Sequence, residues 1–246
     1  MLTKLFARAH SALNTSIVLT SALFILSAPA FSESETVHLN VGYTEFPPLN
    51  VSHAGSIPTG ELADIVFQTL DKAGISYTSQ RFPTARLYKN MANGTTDLSS
   101  GIKGQKLYEN NVLFGKKILL YLEERIYAIG DRQIPSSVEG LLGKKIGIKH
   151  GYGYGGDYVK LTAPNNLTFV DQANSTQSSL TMLQNGRVDF VLDYKHPVNA
   201  ILEKSPIPNL SYRTVNKFPV YFVMSKLTPN SQQVLDTLEA HFSPEP

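Results

Sequence analysis

The chain contains no cysteine. Disulfide bonds, a thiol nucleophile and lipid attachment at a processed cysteine are all excluded, so stability has to come from packing. Long apolar runs are equally scarce. The single candidate, Ile17 to Leu26, is too short to span a bilayer comfortably, and no second run of its kind follows. With Lys4 and Arg8 before it and Ala28-Pro29-Ala30 after it, it reads as a secretory signal peptide over residues 1–30. Cleavage is expected after Ala30, releasing the chain into the periplasm or the exterior. Surplus charge is lacking too: of 22 basic and 20 acidic residues, the leader removes two bases, Lys4 and Arg8, and no acid. The remainder is formally neutral and shows no footprint for nucleic acid.

Catalytic templates are missing as well. There is no G-x-S-x-G nucleophile elbow and no H-E-x-x-H pair, and His38, His53, His150, His196 and His241 are scattered. Neither a metal nor another cofactor is expected.

A repeated unit is present. "ARLYKNMANGTTDLSSG" (85–101) and "SSLTMLQNGRVDFVLD" (178–193) share helical apolar spacing, then Asn-Gly, two residues, Asp and a strand-like run. Each helix is expected to stop at its glycine, Gly94 or Gly186, where the left-handed conformation carries no Cβ penalty. One such unit is an ordinary connection; two, each midway through a half, point to paired lobes.

Strands and helices alternate around these units. Val37–Tyr43 and Ser76–Phe82 read as strands, and Gly60–Gly74 as a helix with Leu62, Ile65, Val66 and Leu70 on one face. Ser136 and Glu139 form a capping-box signature before "GLL". "KKIGIK", "LTFV" and "VDFVL" are strands, and Pro197 is placed to open a further helix at its first position. Lys116–Gly130 is a long extended stretch, Asn209–Lys226 returns the chain, and "PNSQQVLDTLEAHF" is a closing helix. Such alternation implies two α/β lobes with largely parallel sheets.

"HGYGYGGD" raises a separate possibility. Gly151, Gly153 and Gly156 have the G-x-G-x-x-G spacing of a dinucleotide site, with Asp171 about 20 residues on, where a ribose-binding acid would stand. A dinucleotide-binding unit needs a helix long enough to cross back over the sheet, and "GDYVKLTAPNN" offers only a short one before Pro164. The glycines read better as backbone that lets N–H groups approach a ligand.

Taken in order, "VGYTEFPPL", "GELADIV", "PTARLYKNMANGTTDL", "LLGKKIGIKHGYGYG" and "LQNGRVDFVLD" resemble the family 3 extracellular solute-binding proteins over nearly the whole mature chain. The resemblance implies the α/β, two-lobed type II periplasmic binding fold. Each lobe would be a mainly parallel sheet flanked by helices, with two crossover strands as hinge. Lobe one would comprise residues 31–125 and 217–246, and lobe two residues 126–216.

The resemblance also implies site residues. Phe46 matches the aromatic that packs on the ligand, and Ser100 and Gly101 the hydroxyl and backbone N–H offered to its carboxylate. Asp193 matches the acid that binds an α-amino group, or else it caps the helix near Pro197. Tyr152 and Tyr154 stand where small hydroxyl residues are usual, and Gly153 between them is a further ligand-binding candidate. The principal carboxylate clamp, an arginine, is absent: its place, six residues before Phe114, is held by Tyr108, and the segment from Asp97 to Gly101 is one residue short. Lys103 and Arg86 are candidate replacements, each also readable as a solvated surface cation. Glu45 and Glu61 near the same mouth would favour positive ligand groups.

The expected function is capture of a small polar, amino-acid-like or amine-bearing solute by a monomer that delivers it to an ABC permease. Docking on the periplasmic domain of a membrane sensor is the second possibility. An enzyme, a dehydratase of the same fold, is the third, and the missing arginine counts against it.

Overall fold

The computed structural model describes residues 37–106 and 108–243, so the leader expected at residues 1–30 lies outside the described residues. No helix among the described residues is long and apolar enough to cross a membrane.

The elements run β1 (His38–Tyr43), α1 (Glu61–Lys72), β2 (Ser76–Arg81), α2 (Thr84–Asn93), β3 (Leu98–Gly101), β4 (Val112–Phe114) and β5 (Leu120–Ile129). Then follow β6 (Lys145–Lys149), α3 (Asp157–Leu161), β7 (Phe169–Ala173), α4 (Thr176–Gln184), β8 (Phe190–Tyr194), α5 (Lys195–Leu202), β9 (Leu210–Ser225) and α6 (Ser231–His241). Strand order is β2-β1-β3-β9-β5-β8-β6-β7, with β4 also on β9. In the first lobe β1 is parallel to β2 and β3; in the second, β6 is parallel to β7 and β8. The expected two-lobed α/β architecture is therefore observed.

Period-two alternation builds two layers in each lobe. Along β9, Phe222 and Met224 face the core under α1 and α6 with Leu39, Leu70 and Leu238, while Val223 faces α2 with Leu87 and Met91. Ile126 and Ala128 of β5 face Ile146, Phe190 and Leu192; Tyr127 between them turns to Leu180, Leu183 and Val198 under α4 and α5.

β5 and β9 are the crossover strands. They pair antiparallel from Leu120↔Val220 to Ile129↔Leu210, with a register shift between Glu124 and Arg125. A bulge of this kind bends the ladder and raises its twist.

Element ends follow local chemistry with three corrections, two at helices and one at a strand. Gly94 closes α2 in the left-handed conformation, φ 75°, as its lack of a Cβ permits. The capping box at Ser136 does not form: a 3-10 turn, Val138–Leu141, starts after Ser137 and has no side-chain cap. Pro197 is the third residue of α5 rather than the first. It is tolerated there because first-turn N–H groups have no helical partner. The strand expected at "LTFV" begins two residues later, since Leu167 turns left-handed (φ 53°) and is exposed.

Candidate functional site

Between the lobes lies a cleft of about 840 Å³, large enough for a metabolite-sized ligand. It opens beyond the carboxyl ends of β1, β2, β3, β6 and β8, where side chains at strand ends and the loops after them converge.

An aromatic cluster forms its floor and joins the lobes. Phe46, in the loop after β1, packs on Tyr152 (centroids 4.8 Å) and edge-on to Tyr194 (5.4 Å) from the other lobe. Tyr154 stacks on Tyr194 at 5.4 Å and 14°. Each such pair contributes about 0.5–1.5 kcal/mol beyond area burial. A hydrogen bond from the Thr84 hydroxyl to the Gly151 carbonyl (3.4 Å) adds a polar contact across the cleft.

The loop after β6 has unusual backbone. Tyr154, Gly155 and Gly156 all have positive φ (48°, 58° and 102°). A Cβ at Gly155 would collide with the Phe218 ring. Tyr154, which does carry a Cβ, is held by its buried ring and hydroxyl: the Lys149 N–H donates to that hydroxyl at 2.8 Å, and it lies 3.4 Å from the Lys149 carbonyl. The segment is therefore a clamp around the end of β6. As a dinucleotide unit it falls short, because α3 has only five residues and Asp171 pairs with Arg187.

Of the residues singled out in the sequence, Glu45, Phe46, Ser100, Gly101, Tyr152, Gly153 and Tyr154 line the cleft. Glu45 accepts from the Ser52 N–H at 3.2 Å and from its hydroxyl, so this acid is already engaged. The others stand elsewhere. Asp193 is fully buried behind Tyr194, whose N–H donates to it at 2.8 Å, and its second carboxylate oxygen has no hydrogen-bond partner. Burial pushes its carboxyl up to about 7, against the opposing pull of the Tyr194 N–H and Lys149. Tyr108 is buried one layer behind the lining Tyr88, stacked on it at 4.4 Å. Lys103 sits over the Tyr221 ring at 4.6 Å, outside the cleft. Arg86 is exposed on α2 and Glu61 opens the first turn of α1, where an acid complements the helix dipole; neither lines the cleft.

The structure adds residues that sequence reasoning passed over: Arg81, Thr84, Tyr88, Gln105, Lys149 and Tyr194 also line the cleft. Arg81, Lys149 and Tyr194 end strands β2, β6 and β8; the strand-end rule was the signal that could have found them. Lys149 is partly buried, with its ammonium 3.8 Å from the Tyr152 ring centroid. Burial lowers its pKa, and Asp193 and Glu45 oppose that shift.

A second buried group lies in the crossover region. Glu124 on β5 is inaccessible to solvent and shares Asn216 of β9 with Asp157 of α3: the Asn216 amide donates to Glu124 at 2.6 Å and to Asp157 at 2.9 Å. Burial foremost, with the neighbouring Asp157, pushes Glu124 up to about 8.

No family model matches the chain, and no curated protein does. Solved structures do. A histidine kinase sensor domain with similarity to periplasmic binding proteins superposes with a TM-score of 0.66 at 14% identity, covering 85% of this chain and 89% of that one. The GluR0 ligand-binding core complexed with L-glutamate gives 0.64 at 16%, covering 85% and 93%. An ancestral arginine-binding protein bound to arginine gives 0.63 at 20%, covering 83% and 90%. At these identities the likeness establishes a shared fold: the chain has the two-lobed architecture of periplasmic binding proteins.

Proposed function

We propose that this protein is a periplasmic solute receptor, non-catalytic and monomeric, that captures a small polar, amino-acid-like solute between two lobes and presents it to an ABC permease. The observation that carries the reading is the cleft of about 840 Å³ walled by Phe46, Tyr88 and Ser100 from one lobe and Lys149, Tyr152 and Tyr194 from the other. A solute held by both walls favours the closed arrangement, which is the energetic basis of hinge closure.

The lobes are residues 31–125 with 217–246, and residues 126–216. The slip in β5–β9 register at Glu124/Arg125, opposite Asn216, supports these limits. The solved relatives described as amino-acid binders support the solute class. The likeness to a histidine kinase sensor domain favours a second reading, in which the loaded protein docks on a membrane sensor.

The test is a thermal-shift screen of unfolded and refolded protein against amino acids, polyamines, sugars and small carboxylates. A solute at one hundred times its Kd that binds only the native state adds about 2.7 kcal/mol. Stabilisation by one class is the expected result; a folded protein indifferent to the whole panel would contradict the reading. Capture of a permease or of a sensor domain by the loaded protein then separates transport from signalling.

A further inference from the structure

The charges on the cleft wall are unequal. Glu45 is engaged by Ser52, whereas two cations, Arg81 and Lys149, line the same space. Among the described residues the Lys149 ammonium forms no salt bridge, and its one hydrogen-bond contact is the carbonyl of adjacent His150 at the long distance of 3.5 Å. An ammonium has three donors, and a partly buried one left without acceptors is costly. The side chain is nevertheless held in place: the Tyr154 hydroxyl grips its backbone, and the Tyr152 ring supports its head. A cation fixed in position with unspent donors and facing a cleft suits an anion supplied from outside. A positively charged ligand group would instead meet Lys149 itself.

The walls beside it are aromatic. Tyr88 is backed by Tyr108 on one face, at 4.4 Å, and lines the cleft. Phe46 and Tyr152 continue the surface across the lobes. Flat, unsaturated matter packs on such a surface better than a branched aliphatic chain does. The Tyr152 hydroxyl is buried without a hydrogen-bond partner, one more unmet polar atom beside the cleft.

We infer that Lys149 is the anion anchor of the cleft and that the solute is an aromatic carboxylate, its carboxylate on the Lys149 ammonium and its ring against Tyr88, Phe46 and Tyr152. This rests on the receptor reading and makes its ligand class specific. The anchoring charge then comes from lobe two, at the end of β6, and neither Lys103 nor Arg86 supplies it.

The test is calorimetric titration of refolded protein with 4-hydroxyphenylacetate, L-tyrosine, tyramine and hexanoate, using wild type, Lys149→Met and Lys149→Arg. The first two should bind at least tenfold more tightly than tyramine, which has the ring without the acid, and hexanoate, which has the acid without the ring. Lys149→Met should weaken the ring-bearing acids tenfold or more with its thermal unfolding not lowered, and Lys149→Arg should recover most of the loss. Equal binding of tyramine, undiminished acid binding in Lys149→Met, or no binding of either ring-bearing acid by folded wild type would overturn the inference. If another solute class stabilises the protein in the broad screen, the receptor reading survives that failure; silence in both experiments removes the two together.

Discussion

The Tyr154 hydroxyl meets both backbone groups of Lys149, 2.8 Å from its nitrogen and 3.4 Å from its carbonyl oxygen, so a tyrosine in left-handed conformation fixes the end of β6. Tyr154→Phe leaves the ring stacking on Tyr194 and removes only the hydroxyl. The expected cost is about 1–3 kcal/mol, the usual penalty for leaving a buried polar group unmet. It should be measured as a lower denaturant midpoint with an unchanged slope. Solute affinity should fall as well, because the residue acts through Lys149. An unchanged midpoint would show that the hydroxyl holds nothing.

Phe46 and Asp193 should respond differently to substitution. Phe46→Ala removes ring contacts with both Tyr152 and Tyr194 across the cleft, and a loss of one or two aromatic pairs corresponds to roughly tenfold weaker solute binding. Asp193→Asn, in a fully buried residue outside the cleft wall, should alter stability and change affinity less than about threefold, since the side chain does not line the cleft. Calorimetric titration of both variants checks this. A larger affinity loss in Asp193→Asn than in Phe46→Ala would return the acid to the binding site.

Stability should decline as pH rises from mildly acidic to mildly alkaline. Glu124 is raised from 4.5 to about 8, chiefly by burial with Asp157 adding to it, against the opposing pull of Asn216 and Lys160. Across that window the folded protein keeps a proton that the unfolded chain has released. Unfolding is therefore increasingly favoured with pH, by about 1.4 kcal/mol per unit for one group. Asp193, raised from 3.8 to about 7, works in the same direction at lower pH. Thermal unfolding between pH 5 and pH 8 should show the decline, and Glu124→Gln should flatten its upper part. A wild-type profile that is level or rising over this range would contradict the assignment.

The sequence made the architecture legible because its signals are periodic. The apolar run in "VDFVL", the helical face of Leu62, Val66 and Leu70, and the stops at Gly94 and Gly186 each report on local backbone, and local backbone decides them. The site was harder to read, because which side of a strand end faces the opposite lobe is a tertiary property. Asp193 and Tyr194 are neighbours on β8, so a period of two sends one behind the wall and the other onto it. The acid is the chemically more suggestive of the pair, and the tyrosine is the one that lines the cleft. Lys149 was passed over for a similar reason: in "KKIGIK" it reads as a polar strand end, and only the folded chain lays its ammonium on Tyr152. The capping box and Pro197 misplaced helix starts by a residue or two, because Ser137 and Tyr194 precede the first helical residues there.

Capture of the proposed kind requires two lobes that move about β5 and β9 to enclose the solute. Since the chain has no cysteine, thiols introduced by Lys89→Cys on α2 and Val159→Cys on α3, both exposed positions, can carry a donor and an acceptor dye without competition. Energy transfer between them, recorded while the stabilising solute is titrated, is the most direct measurement. The two lobes should draw together, with transfer rising and saturating at the same concentration as the thermal shift. Transfer that stays constant while the solute demonstrably binds would contradict capture by closure.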